Sequence, residues 1–354
     1  MHVIGSREAG GAERFFVRLT RALDQRGESL LCVLRPGSVL ARHLPAGVRK
    51  EAVRMRSIID PFAKARIGAL ARAFEAHVVQ TYMGRATRLA RFNGRRPGPI
   101  HVARVGGYYD VKGYQHAHAW VATTAGIRRY LVDSGLPPER VFHIGHLVET
   151  PPAPDAGEIQ ALREQLHLGP GDCVLMCAGR LHRDRGVDVL LEALARLPEA
   201  TARGPLRLLV VGDGPERDAL AEQAATLGVA PRVRWVHEAV APEPYLSLAS
   251  LFVYPSRESP VGTAILEAWN HELPVIASTA AGPAERIEDR RTGVLVPVED
   301  PDALAGAIQD YLEDRLAVKA MVHAASERVD TEFRSDRVAS AYRDVYAQLL
   351  DDVS

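Results

Sequence analysis

Short apolar runs, each leading through a small-residue loop into a stretch with apolar residues at helical spacing, recur along most of this chain. In the second half they read CVLMCAG (173–179), LRLLVVG (206–212), VRWV (233–236) and LFVYPS (251–256). Between them lie the helical patterns VDVLLEALARL (187–197), RDALAEQAATLG (217–228) and EPYLSLAS (243–250), and PVIAST and GVLVP supply two more strands. Strands that are apolar throughout are covered on both faces, so this alternation demands a parallel sheet between layers of helices. The first half keeps the same rhythm. His2–Ile4 is a strand, 5–11 a loop, and a helix follows from about Ala12 to Gln25 with Phe15, Phe16, Leu19 and Leu23 on one side. ESLLCVLRPGS, His77–Gln80, Ile100–Val105 and VFHIGHLV (141–148) are its further strands. A chain of 354 residues is long for one domain, and the Pro-rich TPPAPDAG (150–157) marks a boundary. The expected fold is α/β: two doubly wound domains, 1–149 and 158–333, facing across a cleft, with a terminal segment 334–354. Ligands of such sheets bind outside the carboxyl ends of the strands.

Composition narrows the class. With 47% hydrophobic and 25% charged residues the chain has ample core. It has no apolar run near the roughly 18 residues of a membrane span and no signal-peptide pattern, which points to the cytoplasm. Cys32, Cys173 and Cys177 fit a reducing compartment; the latter two, four apart in a strand, stand about 13 Å apart, too far for a disulfide. Net charge is zero, yet the segment 49–104 holds thirteen Lys/Arg against three Asp/Glu, or +10, which leaves −10 for the remainder. The basic residues include Arg54, Arg56, Lys64, Arg66, Arg72, Arg85, Arg88, Arg91, Arg95 and Arg96. Interleaved with Met55, Ile58, Ile59, Phe62, Ile67, Leu70, Phe74, Leu89 and Phe92, they read as a basic amphipathic surface for an anionic partner, such as the inner face of the cytoplasmic membrane. No nucleic-acid module is present, so nucleic acid is not an expected partner.

The stretch most suggestive of chemistry is Tyr254 to Pro274, YPSRESPVGTAILEAWNHELP. A strand leads through a Pro-Ser-Arg loop to Gly262 and Thr263, where a helix begins. Such a helix entry directs unpaired N–H groups and the positive end of the dipole outward, which suits a phosphate or pyrophosphate. Glu267, one turn in, is placed to accept hydrogen bonds from sugar hydroxyls. Gly10 and Gly11 occupy a second strand-to-helix turn, although the GxGxxG fingerprint is absent.

Four stretches in register, GGAE (10–13), AGRLHRDRGVDVLLEAL (178–194), VVGDGPE (210–216) and SRESPVGTAILEAW (256–269), resemble the family-4 retaining glycosyltransferases (glycosyl transferases group 1) of the two-Rossmann-domain B fold. The resemblance covers nearly the whole chain, including a final helix (Val338 to Leu349) that in the family crosses back to the first domain. It implies an acceptor-binding N-terminal domain and a nucleotide-sugar-binding C-terminal domain. Arg180 corresponds to the arginine on the donor phosphates, and Arg185 stands where the family has a lysine. Gly262, Thr263 and, from the first domain, Gly11 would offer amides to the phosphates. Glu267 would hold the ribose, and Gly212 and Gly214 would form the turn beside the base. Base choice would depend on the backbone around 212–216 and 235–239. The implied reaction moves a hexose-type unit from a UDP- or GDP-sugar to a hydroxyl with retention. No metal or other cofactor is expected, and attack on the leaving-group face is favoured over a covalent intermediate.

Two departures from the family pattern stand out. Counting back from Glu267 along the pattern Glu, seven residues, Glu reaches Ser259, with Glu258 one residue early; either could occupy the position that binds donor-sugar hydroxyls. After the strand ending at Val105 the family's histidine is missing, and ARVGGYYDVKGY (103–114) offers Arg104, Tyr108 and Asp110, with Gly10, as acceptor-side candidates. His116 and His118 lack a third metal ligand at suitable spacing, and Arg128 and Arg129 read as a solvated or acceptor-facing helix surface. The basic first domain suggests an anionic glycolipid acceptor, as in lipopolysaccharide or other cell-envelope glycan synthesis. A non-catalytic nucleotide-sugar-binding module, a nucleotide-sugar 2-epimerase and a sugar phosphorylase remain alternatives on the same fold.

Overall fold

A computed structural model describes residues 1–7, 10–93, 98–151, 155–237 and 243–352. The chain divides into two compact units, Met1–Glu149 with Glu332–Ser354, and Thr150–Thr331. The first unit contains β1 (His2–Ile4), β2 (Leu31–Leu34), β3 (Arg49–Ala52), β4 (Val78–Tyr82), β5 (Ile100–Val105), β6 (Ala119–Ala122) and β7 (Val141–His143). They form one sheet in the order β3-β2-β1-β4-β5-β6-β7, every pair parallel. The second unit contains β8 (Cys173–Ala178), β9 (Ala200–Thr201), β10 (Gly204–Val211), β11 (Val233–Val236), β12 (Leu251–Tyr254), β13 (Val275–Ser278) and β14 (Val294–Val296). Its order is β11-β10-β8-β12-β13-β14, parallel throughout, with the short β9 antiparallel on β10. Strand order therefore reverses beside β1 in one unit and beside β8 in the other, which opens a crevice at the carboxyl ends there.

The apolar runs place the strands as the sequence implies, and all six residues of β8 are buried. Cys32, Cys173 and Cys177 are free thiols in the cores. The Gly11–Asp24 helix buries Phe15, Phe16, Leu19 and Leu23, and the last helix, Ser335–Asp351, packs on it through Val338, Ala339, Tyr342 and Leu349.

Several elements differ from expectation. The strand expected across 141–148 stops at His143, because β6 ends at Ala122, whose carbonyl accepts the last ladder bond from Ile144 N–H (3.0 Å). Val148 pairs once more, in a single bridge to Arg334. β3 escapes the apolar pattern since RKEA forms the edge of the sheet, with no residue fully buried. The helix expected over 243–250 is regular only from Glu243 to Leu246, because Ser250 N–H already bonds Val174 O (2.8 Å) on the way into β12. Of the segment read as a linker, 152–154 lie outside the described residues, and Asp155 caps a helix that starts at Ala156.

The basic amphipathic surface is corrected most. Met55, Ile67, Leu70 and Leu89 are buried in the core beside β1 and β2, and Phe74 and Phe92 pack partly against it. Only Ile58, Ile59 and Phe62 are exposed, the last two at 83% and 85%. Helical spacing alone does not say which stripe meets the sheet. Arg95 and Arg96 lie outside the described residues. No helix among the described residues is long and apolar enough to cross a membrane.

Docking of the last helix should account for much of the first unit's stability. Leu349→Ala is expected to cost about 2–5 kcal/mol in denaturant unfolding, whereas Ile59→Ala should stay within about 0.5 kcal/mol; equal effects would contradict this packing.

Candidate functional site

The second unit's crevice is built from the loops that follow β8, β10 and β12. β8 delivers Gly179 and Arg180, and a one-turn helix, Arg183–Arg185, then delivers Arg185. Arg180 is exposed, and among the described residues its guanidinium has no hydrogen bond or ion pair. Arg185 is half-buried and aimed by Tyr254, the last residue of β12: its Nη1 donates to the Tyr254 hydroxyl at 2.6 Å. The same hydroxyl meets Ser259 Oγ at 2.9 Å, and Ser259 Oγ accepts from Gly262 N–H at 3.2 Å. One chain of hydrogen bonds thus joins a strand end, a cation and a helix N-terminus. Sequence reasoning missed Tyr254 because a tyrosine ending an apolar strand reads as core, and its ring is indeed 4% exposed.

This geometry places the expected donor-site residues. Ser259 is 6% exposed and engaged within the loop, while Glu258 points to solvent and bonds back only through its N–H to Asp184 O (3.3 Å). Gly262 caps the Thr263–Asn270 helix with φ 61°, a left-handed conformation that favours glycine. Its own N–H is taken by Ser259, so any amides offered outward belong to the first helical turn from Thr263 onward. Glu267 is buried at 5% exposure, one turn along. Gly212 and Gly214 lie in the turn after β10, where a Cβ on either would overlap the carbonyl oxygen of Gly179 or Leu181, so they let the β10 loop lie directly on the β8 loop. Gly179 N–H donates to Val211 O, and Leu181 N–H to Asp213 O, both at 2.9 Å. Gly282, which drew no attention in the sequence, plays the same part after β13. A Cβ there would overlap Ser259 O, to which its N–H donates at 2.7 Å. Of the stretch 235–239, Trp235 and His237 stack at 6.2 Å, and 238–239 lie outside the described residues.

In the first unit, Gly10 is the N-cap and Gly11 the first residue of the Gly11–Asp24 helix. A Cβ on Gly10 would lie 2.8 Å from Glu13 Oε2, so a buried carboxylate already covers this helix start. Arg104 does not face outward. At 4% exposure it contacts His146 Nε2 at 2.9 Å and lies 3.7 Å above the Phe15 ring, a buried cation held by π and hydrogen-bond partners. Burial lowers its pKa, and the Tyr342 and Tyr82 hydroxyls oppose the shift. Tyr108 and Asp110 are exposed; the Tyr108 ring meets Tyr130 edge-on at 5.4 Å, and Asp110 caps a short turn by accepting from Lys112 N–H at 3.0 Å. Arg128 ties its helix to Val141 O (2.9 Å) and Pro138 O (3.3 Å), while Arg129 is exposed.

The histidines form a structural cluster. His118 Nδ1 accepts from His101 N–H (2.9 Å), which leaves Nε2 to donate to Phe92 O (3.2 Å). His116 Nε2 donates to Thr87 O (2.7 Å), and the buried His101 reaches Thr81 Oγ1 (2.9 Å). Among the described residues no group of three or more His, Cys, Asp or Glu is placed to hold a metal.

Residues 172–314 match the model of the glycosyl transferases group 1 family. The chain is 29% identical over 342 residues to the lipopolysaccharide core biosynthesis glycosyltransferase LpsE of Rhizobium meliloti strain 1021, an overlap that covers 96% of each chain. Among solved structures, a glycosyltransferase from Rickettsia africae ESF-5 superposes with a TM-score of 0.83 at 18% identity over 99% of each chain. Anabaena HepE, crystallised with UDP-glucose, does so with 0.80 at 19% identity, over 98% of this chain and 100% of that one.

Burial lowers the pKa of His101, His116 and His118, with neighbouring histidines adding to the shift of His101. These rings stay neutral when folded, whereas in the unfolded chain they take up protons below about 6.5. Their contribution to stability is therefore complete above that pH and falls away below it. His101→Gln should make the loss of thermal midpoint between pH 7 and pH 5 shallower than in the wild type; an unchanged slope would show that His101 does not contribute.

Proposed function

We propose that this chain, whose residues 172–314 match the glycosyl transferases group 1 model and whose two sheets have the B fold of glycosyltransferases, moves a sugar from a nucleoside-diphosphate donor to a hydroxyl of an anionic glycolipid or oligosaccharide, with retention, in lipopolysaccharide or related envelope synthesis. The observation that carries this reading is the pair of cations at the second unit's switch point: Arg180, exposed and without a partner among the described residues, and Arg185, locked by Tyr254. Two guanidinium groups, one of them fixed in place, suit the diphosphate on which charge develops as the glycosidic bond breaks. They supply the neutralisation for which other enzymes use a divalent ion, so no metal is required. Glu267 holds the ribose, and the first turn of the Thr263–Asn270 helix faces the phosphates. Likeness to HepE, which binds UDP-glucose, supports a UDP-sugar donor, and likeness to LpsE supports a lipopolysaccharide-core acceptor. The sequence offers no obvious carboxylate nucleophile, and the acceptor attacks from the face of the leaving phosphate; a trapped glycosyl-enzyme would refute that step.

The wild-type chain should be stabilised by one nucleotide among UDP, GDP, ADP and CMP, by about 2.7 kcal/mol at a hundred times its Kd, and further by one of its sugar conjugates. Arg180→Gln with Arg185→Gln should abolish the response. If no nucleotide raises the midpoint, glycosyl transfer is the wrong reading. Ser259 gives a second test. A glutamate there would break the Tyr254–Ser259–Gly262 chain, so Ser259→Glu should weaken donor binding about tenfold (~1.4 kcal/mol). A gain in activity would instead mark a degenerate site in a binding module.

Contact with a membrane rests on Ile59 and Phe62, exposed beside Arg54, Arg56, Lys64 and Arg66. Anionic vesicles should sediment the protein, less so as salt rises, and Phe62→Ser should reduce the bound fraction. Equal binding to neutral vesicles would refute the electrostatic part.

A further inference from the structure

Arginines follow the carboxyl ends of three adjacent strands, β2, β1 and β4, in the first unit. The strands run β3, β2, β1, β4, with Val3 opposite Val33 and Ile4 opposite Tyr82. Arg35 comes directly after β2, Arg7 lies in the loop after β1, and Arg85 is in the first turn after β4. Neighbouring strands lie about 4.8 Å apart, so these positions are close across the rim.

The three differ in how they are held: Arg85 by its side chain, Arg7 through its backbone and Arg35 by partial burial. The Arg85 stem lies on Gly5, where a Cβ would come within 3.0 Å of Arg85 Cβ, and its Nη1 donates to Met55 O at 3.3 Å. Val39 N–H donates to Arg7 O at 3.4 Å, which ties the loop after β1 to the chain that follows β2. Arg35 is half-buried, and its Nε is shielded from solvent with no hydrogen-bond partner. Among the described residues no carboxylate pairs with Arg7, Arg35 or Arg85. Burial lowers the pKa of Arg35, and the charges of Arg85 and then Arg7 lower it further, so the three groups repel one another.

A solvated surface arginine swings away from like charge. Here Arg85 is held by packing, Arg35 is half-buried, and the exposed Arg7 joins them from the tied loop after β1, all at the switch point of a doubly wound sheet, where ligands of such sheets bind. The guanidinium fork matches a phosphate or carboxylate in geometry and charge. We propose that Arg7, Arg35 and Arg85 form a binding site for a phosphate monoester, or an equally charged group, on the acceptor. The word acceptor rests on the glycosyl-transfer reading; the anion site does not. It also takes over the role that the buried Arg104 is unable to fill.

Thermal midpoints of the full chain with glucose 6-phosphate, and with glucose as the uncharged control, test the proposal. The wild type should be stabilised by glucose 6-phosphate alone. The Arg180→Gln/Arg185→Gln variant, which lacks the donor-site cations, should respond the same way, while Arg35→Gln/Arg85→Gln should lose the response and keep that to nucleotide. Arg7→Gln, at an exposed position, should weaken the response in a chain whose fold is untouched. Without ligand at low salt, Arg35→Gln should melt higher than the wild type, because repulsion is relieved. A full glucose 6-phosphate response in Arg35→Gln/Arg85→Gln, or an equal response to glucose, overturns the site. Failure of every nucleotide with the sugar-phosphate response intact would overturn glycosyl transfer and leave the anion site standing. A lipid headgroup carries the same chemistry. Phosphatidylglycerol vesicles should bind Arg35→Gln/Arg85→Gln as well as wild type; loss of that binding, with no wild-type response to glucose 6-phosphate, would overturn the acceptor assignment in favour of lipid.

Discussion

Backbone packed on backbone holds the rim of the second unit's crevice together. The loops after β8, β10, β12 and β13 touch through carbonyl oxygens and N–H groups, at Gly212 on Gly179, Gly214 on Leu181 and Gly282 on Ser259. No side chain fits between them. Loops of this length would otherwise sample many conformations, and each inter-loop bond removes that freedom before a ligand arrives. The positions of Arg180 and Arg185 follow, since both leave from the β8 loop. Tyr254 extends the constraint by linking a side chain to the same frame through Arg185 and Ser259. This frame sets the backbone from which both arginines project and holds the Arg185 side chain on Tyr254.

The first unit treats its cations in two opposite ways. Arg104 is buried with π and hydrogen-bond partners, a charge held by Phe15, His146 and the tyrosines around it although its Nε finds no hydrogen bond. Arg7, Arg35 and Arg85 pair with no carboxylate among the described residues, and they stand where a sheet of this order opens. An arrangement that destabilises the empty protein is retained where a ligand offsets it. The charge excess of the segment 49–104 is therefore not one surface. Part of it is core, part is structural, and part lies beside the exposed Ile59 and Phe62.

The two units share a strand order and diverge in how their helix starts are covered. At Gly10 the carboxylate of Glu13 lies over the N-terminus, whereas at Gly262 an uncharged hydroxyl takes one N–H and leaves the positive end of the dipole without a counter-charge of its own. That difference in sign makes the second helix start the more favourable of the two for an anion, and it arises from two side chains on otherwise similar turns.

What the sequence by itself determined is the two-fold α/β rhythm, the strands, the last helix and the positions of Arg180, Arg185, Gly262 and Glu267. Apolar run length and small-residue loops are local properties, and burial on both faces of a parallel sheet reads out in the chain directly. Only the tertiary structure decided the fate of individual polar groups. Nothing local distinguishes Arg104, which is buried, from Arg35, which pairs with no carboxylate among the described residues, or shows that Ser259 occupies the N–H expected of a phosphate. RKEA joins the sheet at β3 because a neighbouring strand offers its edge, and 144–147 leaves it because β6 has ended. Met55 and Ile67 enter the core while Phe62 stays outside because one stripe of each amphipathic element meets the sheet. In each case the outcome depends on partners distant in sequence, and charge, pairing and burial are properties of the neighbours that folding supplies.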